Sequence, residues 1–117
     1  MIKTNRKLNA SWYTPISQES EDEPARFKVR PLTGAQALEV LDDYDPRKGR
    51  FLSRGIQLAL RHGLLDWENI LDEHGNPLEC KPENLRYIPA VEANEVGNHI
   101  MDLAELGGEE EKNSESP

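Results

Sequence analysis

The sequence has one cysteine, Cys80, few aromatic residues and no long hydrophobic run. A single cysteine cannot form an internal disulfide, so the chain is expected in a reducing compartment. The apolar clusters are only a few residues long, whereas a membrane-spanning helix needs about 20 apolar residues. The basic, polar start is followed by no apolar segment, so no signal peptide is expected.

Basic residues are outnumbered by acidic ones. The 14 lysines and arginines stand against 22 aspartates and glutamates, which gives a formal net charge of −8. This balance argues against nucleic acid as a partner, because affinity for nucleic acid comes largely from basic side chains that neutralise phosphates. It equally disfavours an anionic membrane surface. The sign of the charge instead favours a non-catalytic binding protein with a basic or hydrophobic partner.

The pattern of apolar residues predicts an α+β fold with one or two small antiparallel hairpins and about three main α-helices. Residues 25–32 alternate apolar and basic side chains, and together with residues 10–17 they predict an antiparallel strand pair. Residues 1–9 are predicted to be flexible, and residues 10–106 to form a single domain. Residues 107–117 contain no apolar side chain and are predicted to be a disordered acidic tail.

Capping and breaking residues predict the ends of the helices. Thr33 is a suitable N-cap for the first helix, and Pro46 disfavours helical backbone at Asp45. Gly63 is a suitable C′ residue for the second helix. The three helices are predicted over 33–45, 46–62 and about 89–106, and the apolar face of the third comprises Val91, Val96, Ile100, Leu103 and Leu106.

The segment between the second and third helices carries turn signals. Residues 64–80 predict a short hairpin whose turn contains Asp72 and Gly75. Residues 82–85 predict a single helical turn with proline at its first position. Trp67 follows two leucines and is predicted to lie in the core.

Candidate catalytic and metal-binding residues are explained by simpler structural roles. Asp72, His74 and Cys80 lack the paired ligand spacing of structural zinc sites. A calcium loop that starts at Asp72 would place Glu83 at its closing position, but its glycine and its interior residues do not fit an EF-hand. No nucleophile motif surrounds Cys80, which is interpreted as a small buried hydrophobe. We therefore expect no enzyme activity, no metal and no cofactor.

The most basic stretch runs from Arg47 to Arg61 and includes Arg50 and Arg54. It is interpreted as a solvated helix face that pairs with the acidic surface. The alternatives are a nucleic-acid face and a docking patch for an acidic partner or a second copy of the chain. Trp12 is a candidate interface anchor, because aromatic anchors dominate binding hot spots.

An ordered set of motifs covers about residues 25–113. It comprises Phe27-Lys-Val-Arg-Pro-Leu-Thr33, Gly63-Leu-Leu-Asp-Trp-Glu-Asn-Ile-Leu-Asp-Glu-His-Gly-Asn-Pro77, the turn Pro82-Glu-Asn-Leu85 and the acidic Glu110-Glu111-Lys112-Asn113. This order resembles the tail assembly chaperones of long-tailed phages. The resemblance implies a protein of the host cytoplasm, absent from the mature virion, that binds and solubilises the tape measure protein and aids polymerisation of the major tail protein.

The resemblance also implies a longer form of the protein, produced by a programmed ribosomal frameshift near the end of the first reading frame. Lys112-Asn113 can be encoded within A-AAA-AAY, a heptamer on which two tRNAs can slip back one base and still pair. These two residues are the predicted frameshift position. The longer form would be the one that engages the major tail protein.

The third helix is predicted to supply an apolar groove for the partner, while most of the same face is expected to pack on the first two helices. The predicted partner-binding residues are Trp12, Arg50, Arg54, Val96, Ile100, Leu103 and Leu106. Self-association is a further expectation for the basic stretch. Two other functions stay open at this point: a virion structural or head–tail connector protein, and a small regulatory adaptor that uses the basic face.

Overall fold

The computed structural model describes Met1 and residues 9–115, with side chains described as far as residue 103. In chain order the strands and helices are β1 (Ser11–Tyr13), β2 (Arg26–Val29), α1 (Gly34–Leu41), β3 (Tyr44–Asp45), β4 (Arg50–Phe51), α2 (Ser53–Gly63), β5 (Leu64–Glu68) and α3 (Ala90–Glu115). Two 3₁₀ helices span Ile16–Gln18 and Pro82–Tyr87. The predicted α+β class with three main helices is confirmed. The predicted flexible N-terminus falls mainly on residues 2–8, which lie outside the described residues.

The three-stranded antiparallel sheet has the order β1-β2-β5. The predicted pairing of the first two strands is confirmed, with Trp12 opposite Lys28. Alternation along β2 buries Phe27 and Val29 and leaves the basic residues on the other face. Phe27 is also opposite Trp67 of β5, and their rings meet edge to face with centroids 6.5 Å apart. The predicted core position of Trp67 is therefore confirmed.

The predicted hairpin over 64–80 is only partly correct. Its first arm is β5, which pairs with β2 because Trp67 is buried there. The predicted turn forms: Gly75 adopts a φ of 80°, and Asp72 Oδ1 accepts hydrogen bonds from the backbone N–H groups of His74 and Asn76. An isolated bridge between Leu71 and Pro77 joins the two arms beyond the turn.

The predicted N-terminus of α1 is confirmed, and its predicted end is wrong. Thr33 Oγ1 accepts a hydrogen bond from the Gln36 N–H, and Gln36 Oε1 accepts one from the Thr33 N–H, which completes a capping box. The helix ends at Leu41. Tyr44 and Asp45, predicted to be its last residues, form β3 instead.

The second predicted helix begins seven residues too early. Residues 46–49 form the turn of the β3–β4 hairpin, in which Gly49 adopts a φ of 65°. Asp45 Oδ1 accepts hydrogen bonds from the backbone N–H groups of Arg47 and Lys48. An aspartate that binds the backbone ahead of it competes with helix formation, and a left-handed glycine ends the turn.

Two glycines allow α2 and α3 to approach closely. A Cβ at Gly63 would lie 2.5 Å from Ile100 Cγ2, and one at Gly97 would lie 2.8 Å from Ile56 Cγ2. The predicted C′ role of Gly63 is wrong, because Gly63 is the last residue of α2 and Leu64 follows in an extended conformation. Position 63 requires glycine because α3 packs closely against it, and not because the backbone there needs a left-handed φ.

The long helix α3 begins as predicted, directly after Pro89. Its backbone continues past Gly107-Gly108, where the sequence predicted its end, to Glu115. Extension of an existing helix needs no new nucleus, and glutamate is a good helix former. The predicted disorder of 107–117 stays a prediction. No helix in the described part of the chain combines the length and apolar character needed to cross a membrane.

Candidate partner-binding groove

An open groove of about 1150 Å³ runs between α2 and the start of α3. The 3₁₀ helix Pro82–Tyr87 forms part of the opposite wall, and the β3–β4 hairpin closes one end. Lining residues on α2 extend from Ser53 to Arg61. At 1.5 Å per residue this wall is about 12 Å long, or slightly more than two helical turns.

The groove has an apolar floor and apolar sides. Ile56, Leu60 and Ile88 are buried at its base. Leu52 and Val91 stand on its sides with 43% and 60% of their surface exposed. Exposed apolar side chains that gather in a concave surface are typical of an interaction site.

The rim of the groove is basic in an otherwise acidic chain. Its charged side chains are Lys48, Arg50, Arg61 and Arg86, with Glu95 as the acidic one. Among the described residues, no carboxylate forms an ion pair with any of these four cations. Leu52 provides no side-chain cap for α2, so the positive end of the helix dipole adds to the potential at this end.

Of the predicted partner-binding residues whose side chains the structure describes, only Arg50 lines the groove. Arg54 points elsewhere, with its Nε 3.8 Å from Asp43 Oδ2. Trp12 is exposed on β1, outside the groove, and the Arg26 guanidinium lies 5.1 Å from its ring centroid.

The predicted groove along the inner face of α3 is wrong at its centre. Val96 and Ile100 have no exposed surface, because they fill the core against α2 and the sheet. Leu103 is half-buried and packs against the same core. Leu106, Lys112 and Asn113 have side chains outside the described residues, so their predicted roles are untouched by the structure.

Several residues that line the groove were not among the predicted partner-binding residues. The periodicity of α3 places Val91 on the packing face of the helix, yet in the structure Val91 is exposed and lines the groove. Leu85 and Arg86 belong to a short 3₁₀ helix, and nothing in their local pattern indicates which helix they face. Arg61 could have been identified from the sequence as a candidate binding residue, because it belongs to the basic stretch.

Burial shifts the pKa of two titratable side chains outside the groove, Cys80 and His99. Burial and the nearby Asp66 carboxylate raise the pKa of the Cys80 thiol to about 11, so it stays protonated at neutral pH. His99 stacks on Tyr13 with ring centroids 3.8 Å apart, and burial lowers its pKa. Within the described residues, no three His, Cys, Asp or Glu side chains are grouped so that they could hold a metal ion.

The groove combines an apolar floor with a basic rim, a composition that is typical of docking surfaces. Its floor can exclude water from an apolar partner, and its rim can contact carboxylates on either side of that partner. Comparison of the chain with protein-family models, curated proteins and solved structures finds no match.

Proposed function

We propose that the protein is a non-catalytic chaperone of phage tail assembly, which binds the tape measure protein and keeps it soluble in the host cytoplasm. The groove between α2 and α3 is the observation that carries this proposal. A chaperone for long amphipathic helices needs an exposed apolar surface bordered by charge, so that contacts are specific enough to select a helix and weak enough to release it.

The motif order adds a second line of support. Phe27 and Val29 of the first motif fill the core, and Thr33 caps α1. In the second motif, Trp67 Nε1 donates a hydrogen bond to the Leu78 carbonyl at 2.6 Å, and Asn69 adopts a left-handed φ of 61°. The motifs therefore specify the scaffold that holds the groove walls in place, which fits a resemblance that extends over most of the chain.

Co-expression with the tape measure protein of the same phage tests the proposal. The wild-type chain should raise the soluble fraction of that protein, measured by sedimentation and quantitative gel analysis. Val91→Asp places a charge in the groove and should abolish the effect. Leu38→Asp is the matched control, since Leu38 is 66% exposed and lies outside the groove. Equal solubility with and without the wild-type chain would contradict the proposal.

Purified virions separate the chaperone from a head–tail connector. In the proposed function the chain is absent from finished particles, so mass spectrometry should detect it in infected cells but not in virions. A stoichiometric presence in the tail would assign it to the virion structure instead.

The nucleotide sequence at Lys112-Asn113 tests the proposed longer form. A slippery A-AAA-AAY heptamer followed by an open −1 reading frame is expected, together with a minor product that contains the additional residues. Codons that cannot slip would remove the frameshift and the recruitment of the major tail protein, while the chaperone proposal would still depend on the groove.

A further inference from the structure

We propose that the groove binds a single α-helix whose apolar stripe is flanked by glutamate or aspartate. The identity of the partner rests on the proposed function, whereas the chemistry of the bound segment rests on the groove alone. Three features of the groove point to this occupant: its shape, the backbone groups of its walls and the charge of its rim.

The shape of the groove favours a peptide segment over a small molecule. Its volume of about 1150 Å³ exceeds the roughly 300–1000 Å³ of typical ligand pockets. It is also open along the molecular surface between two walls. The α2 wall matches about two turns of an occupant helix, and Leu52 and Val91 leave apolar surface on opposite sides for the same stripe to cover.

The backbone of the walls favours a helical occupant over an extended one. An extended segment gains affinity by adding to a sheet edge, where free N–H and C=O groups pair with it. The groove walls are mainly α2, α3 and a 3₁₀ helix, whose backbone groups bond within their own helices, and β4 contributes only two residues. A bound segment must therefore satisfy its own backbone groups, as a helix does.

The charge of the rim selects acidic flanks. Lys48 and Arg50 lie at the hairpin end, Arg61 lies at the other end of α2, and Arg86 lies on the facing 3₁₀ helix. Carboxylates on both sides of an apolar stripe would meet cations on both walls. Such complementarity contributes mainly to specificity and to the rate of association.

The acidic end of the same chain is a poorer occupant. Residues 107–117 supply carboxylates but no apolar side chain, so they cannot cover Leu52 and Val91. A second copy would have to present the same segment or another acidic helix. Both arrangements are measurable outcomes of the experiment below.

Three labelled peptides of about 15 residues, a length at which isolated helices are marginally stable, test the proposal. They share one apolar stripe and differ only in flanking glutamate, glutamine or lysine. Fluorescence anisotropy with the full chain should give affinities in the order glutamate, glutamine, lysine. The preference for glutamate over lysine should be about tenfold or more at low ionic strength and should shrink in salt.

Charge reversal in the groove provides the decisive comparison. Arg50→Glu with Arg61→Glu should reverse the order of the peptides, while the far-UV circular dichroism spectrum stays unchanged. Arg47→Glu makes the same type of charge change on the hairpin but outside the groove, and it should keep the wild-type order. An order that survives the double reversal, or binding that survives Val91→Asp, would overturn the proposal.

The remaining outcomes also decide the question. The acidic-helix proposal would be overturned if none of the three peptides bound. It would also be overturned by a dimer that Val91→Asp dissociates, because a second copy would then occupy the groove. Peptide binding that requires deletion of residues 107–117 would overturn it too, because the acidic end of the chain would then be the occupant. Overlapping peptides of the tape measure protein separate this inference from the proposed function. Binding of the tape measure peptides regardless of their charge would support the proposed function and contradict the acidic-helix inference. Charge-selective binding of the designed peptides, with no binding of the tape measure peptides, would support the acidic-helix inference and contradict the proposed function.

Discussion

At the scale of single residues, Gly63 sets the distance between α2 and α3. A Cβ there would lie 2.5 Å from Ile100 Cγ2 and 3.1 Å from the Arg30 carbonyl oxygen. Ile100 has no exposed surface, and a close-packed interior cannot yield without moving other side chains. The groove depends on this contact, since it fixes how far α3 stands from α2.

Gly63→Ala is expected to lower the free energy of unfolding by about 1–3 kcal/mol, the usual cost of overpacking a core. Urea denaturation followed by circular dichroism measures the change. Gly34→Ala is the control, because no atom lies within 4 Å of the added Cβ and alanine favours a helix more than glycine. Equal losses in the two variants would show that the α2–α3 contact does not limit stability.

Cys80 offers a second measurement at this scale. Its pKa of about 11, raised by burial and by Asp66, compares with an ordinary value of 9.0. Near pH 8 the folded chain should therefore hold about 100-fold fewer thiolates than the unfolded chain, and the thiolate is the reactive form. Alkylation by iodoacetamide, followed by mass spectrometry, should be clearly slower in buffer than in concentrated urea, although the higher nucleophilicity of a thiolate with a raised pKa makes the difference smaller than the ratio of thiolates. Similar rates in both solutions would indicate an accessible thiol whose pKa is not raised by the fold.

At the scale of secondary-structure elements, the β3–β4 hairpin positions the basic end of the groove. Gly49 adopts a φ of 65°, and no atom lies within 4 Å of a Cβ built on it. Any cost of a side chain at this position is therefore conformational and not steric. The hairpin carries Lys48 and Arg50, so its conformation determines where these two positive charges lie on the rim of the groove.

Gly49→Ala is expected to destabilise the hairpin by roughly 1–2 kcal/mol, the cost of left-handed backbone for an L-residue. Gly49→Asn should cost less, because asparagine adopts this conformation more readily. Nuclear magnetic resonance of the Tyr44 and Phe51 rings, which meet edge to face at 5.0 Å, would report the hairpin. If alanine and asparagine behaved alike, the left-handed backbone would not be what limits the hairpin.

Local signals in the sequence predicted several elements correctly, and the β3–β4 hairpin is the element that they missed. Thr33, Trp67 and the turn at Asp72 were predicted correctly because capping, clustering of apolar residues and turn chemistry act within a few residues. A continuous helix over 46–62 would have placed Arg50 and Arg54 four residues apart on one face. The hairpin separates them, so that one lines the groove and the other pairs with Asp43.

At the scale of the whole molecule, the groove was not predictable because its walls come from three separate segments. Periodicity indicates which face of a helix is apolar, but not which neighbour covers it. Val96 and Ile100 face α2 and the sheet, while Val91 on the same helix lies beyond that contact and stays exposed. The acidic composition predicted a non-catalytic binding protein with a basic or hydrophobic partner, which stays a prediction, whereas the rim of the groove is basic.

The stacked pair formed by Tyr13 and His99 connects the sheet to α3 and is expected to make the stability of the fold depend on pH. The ring planes differ by 9°, and burial lowers the pKa of His99 below its ordinary 6.5, although the carboxylate of Asp102 opposes this shift. Burial, with a contribution from Glu95, also raises the pKa of Tyr13, which stays neutral. Between the lowered pKa and 6.5 the unfolded chain binds a proton that the folded chain does not.

Stability should therefore fall as the pH falls through about 6.5, and this contribution should level off below the pKa of folded His99. Urea midpoints measured across this range are expected to decrease towards acid. His99→Phe retains an aromatic ring for the stack but cannot titrate, so its midpoints should depend less on pH. His74→Gln is the control, because His74 is largely exposed and its loss should leave the wild-type slope. An unchanged slope in His99→Phe would mean that the link between the sheet and α3 does not sense protons.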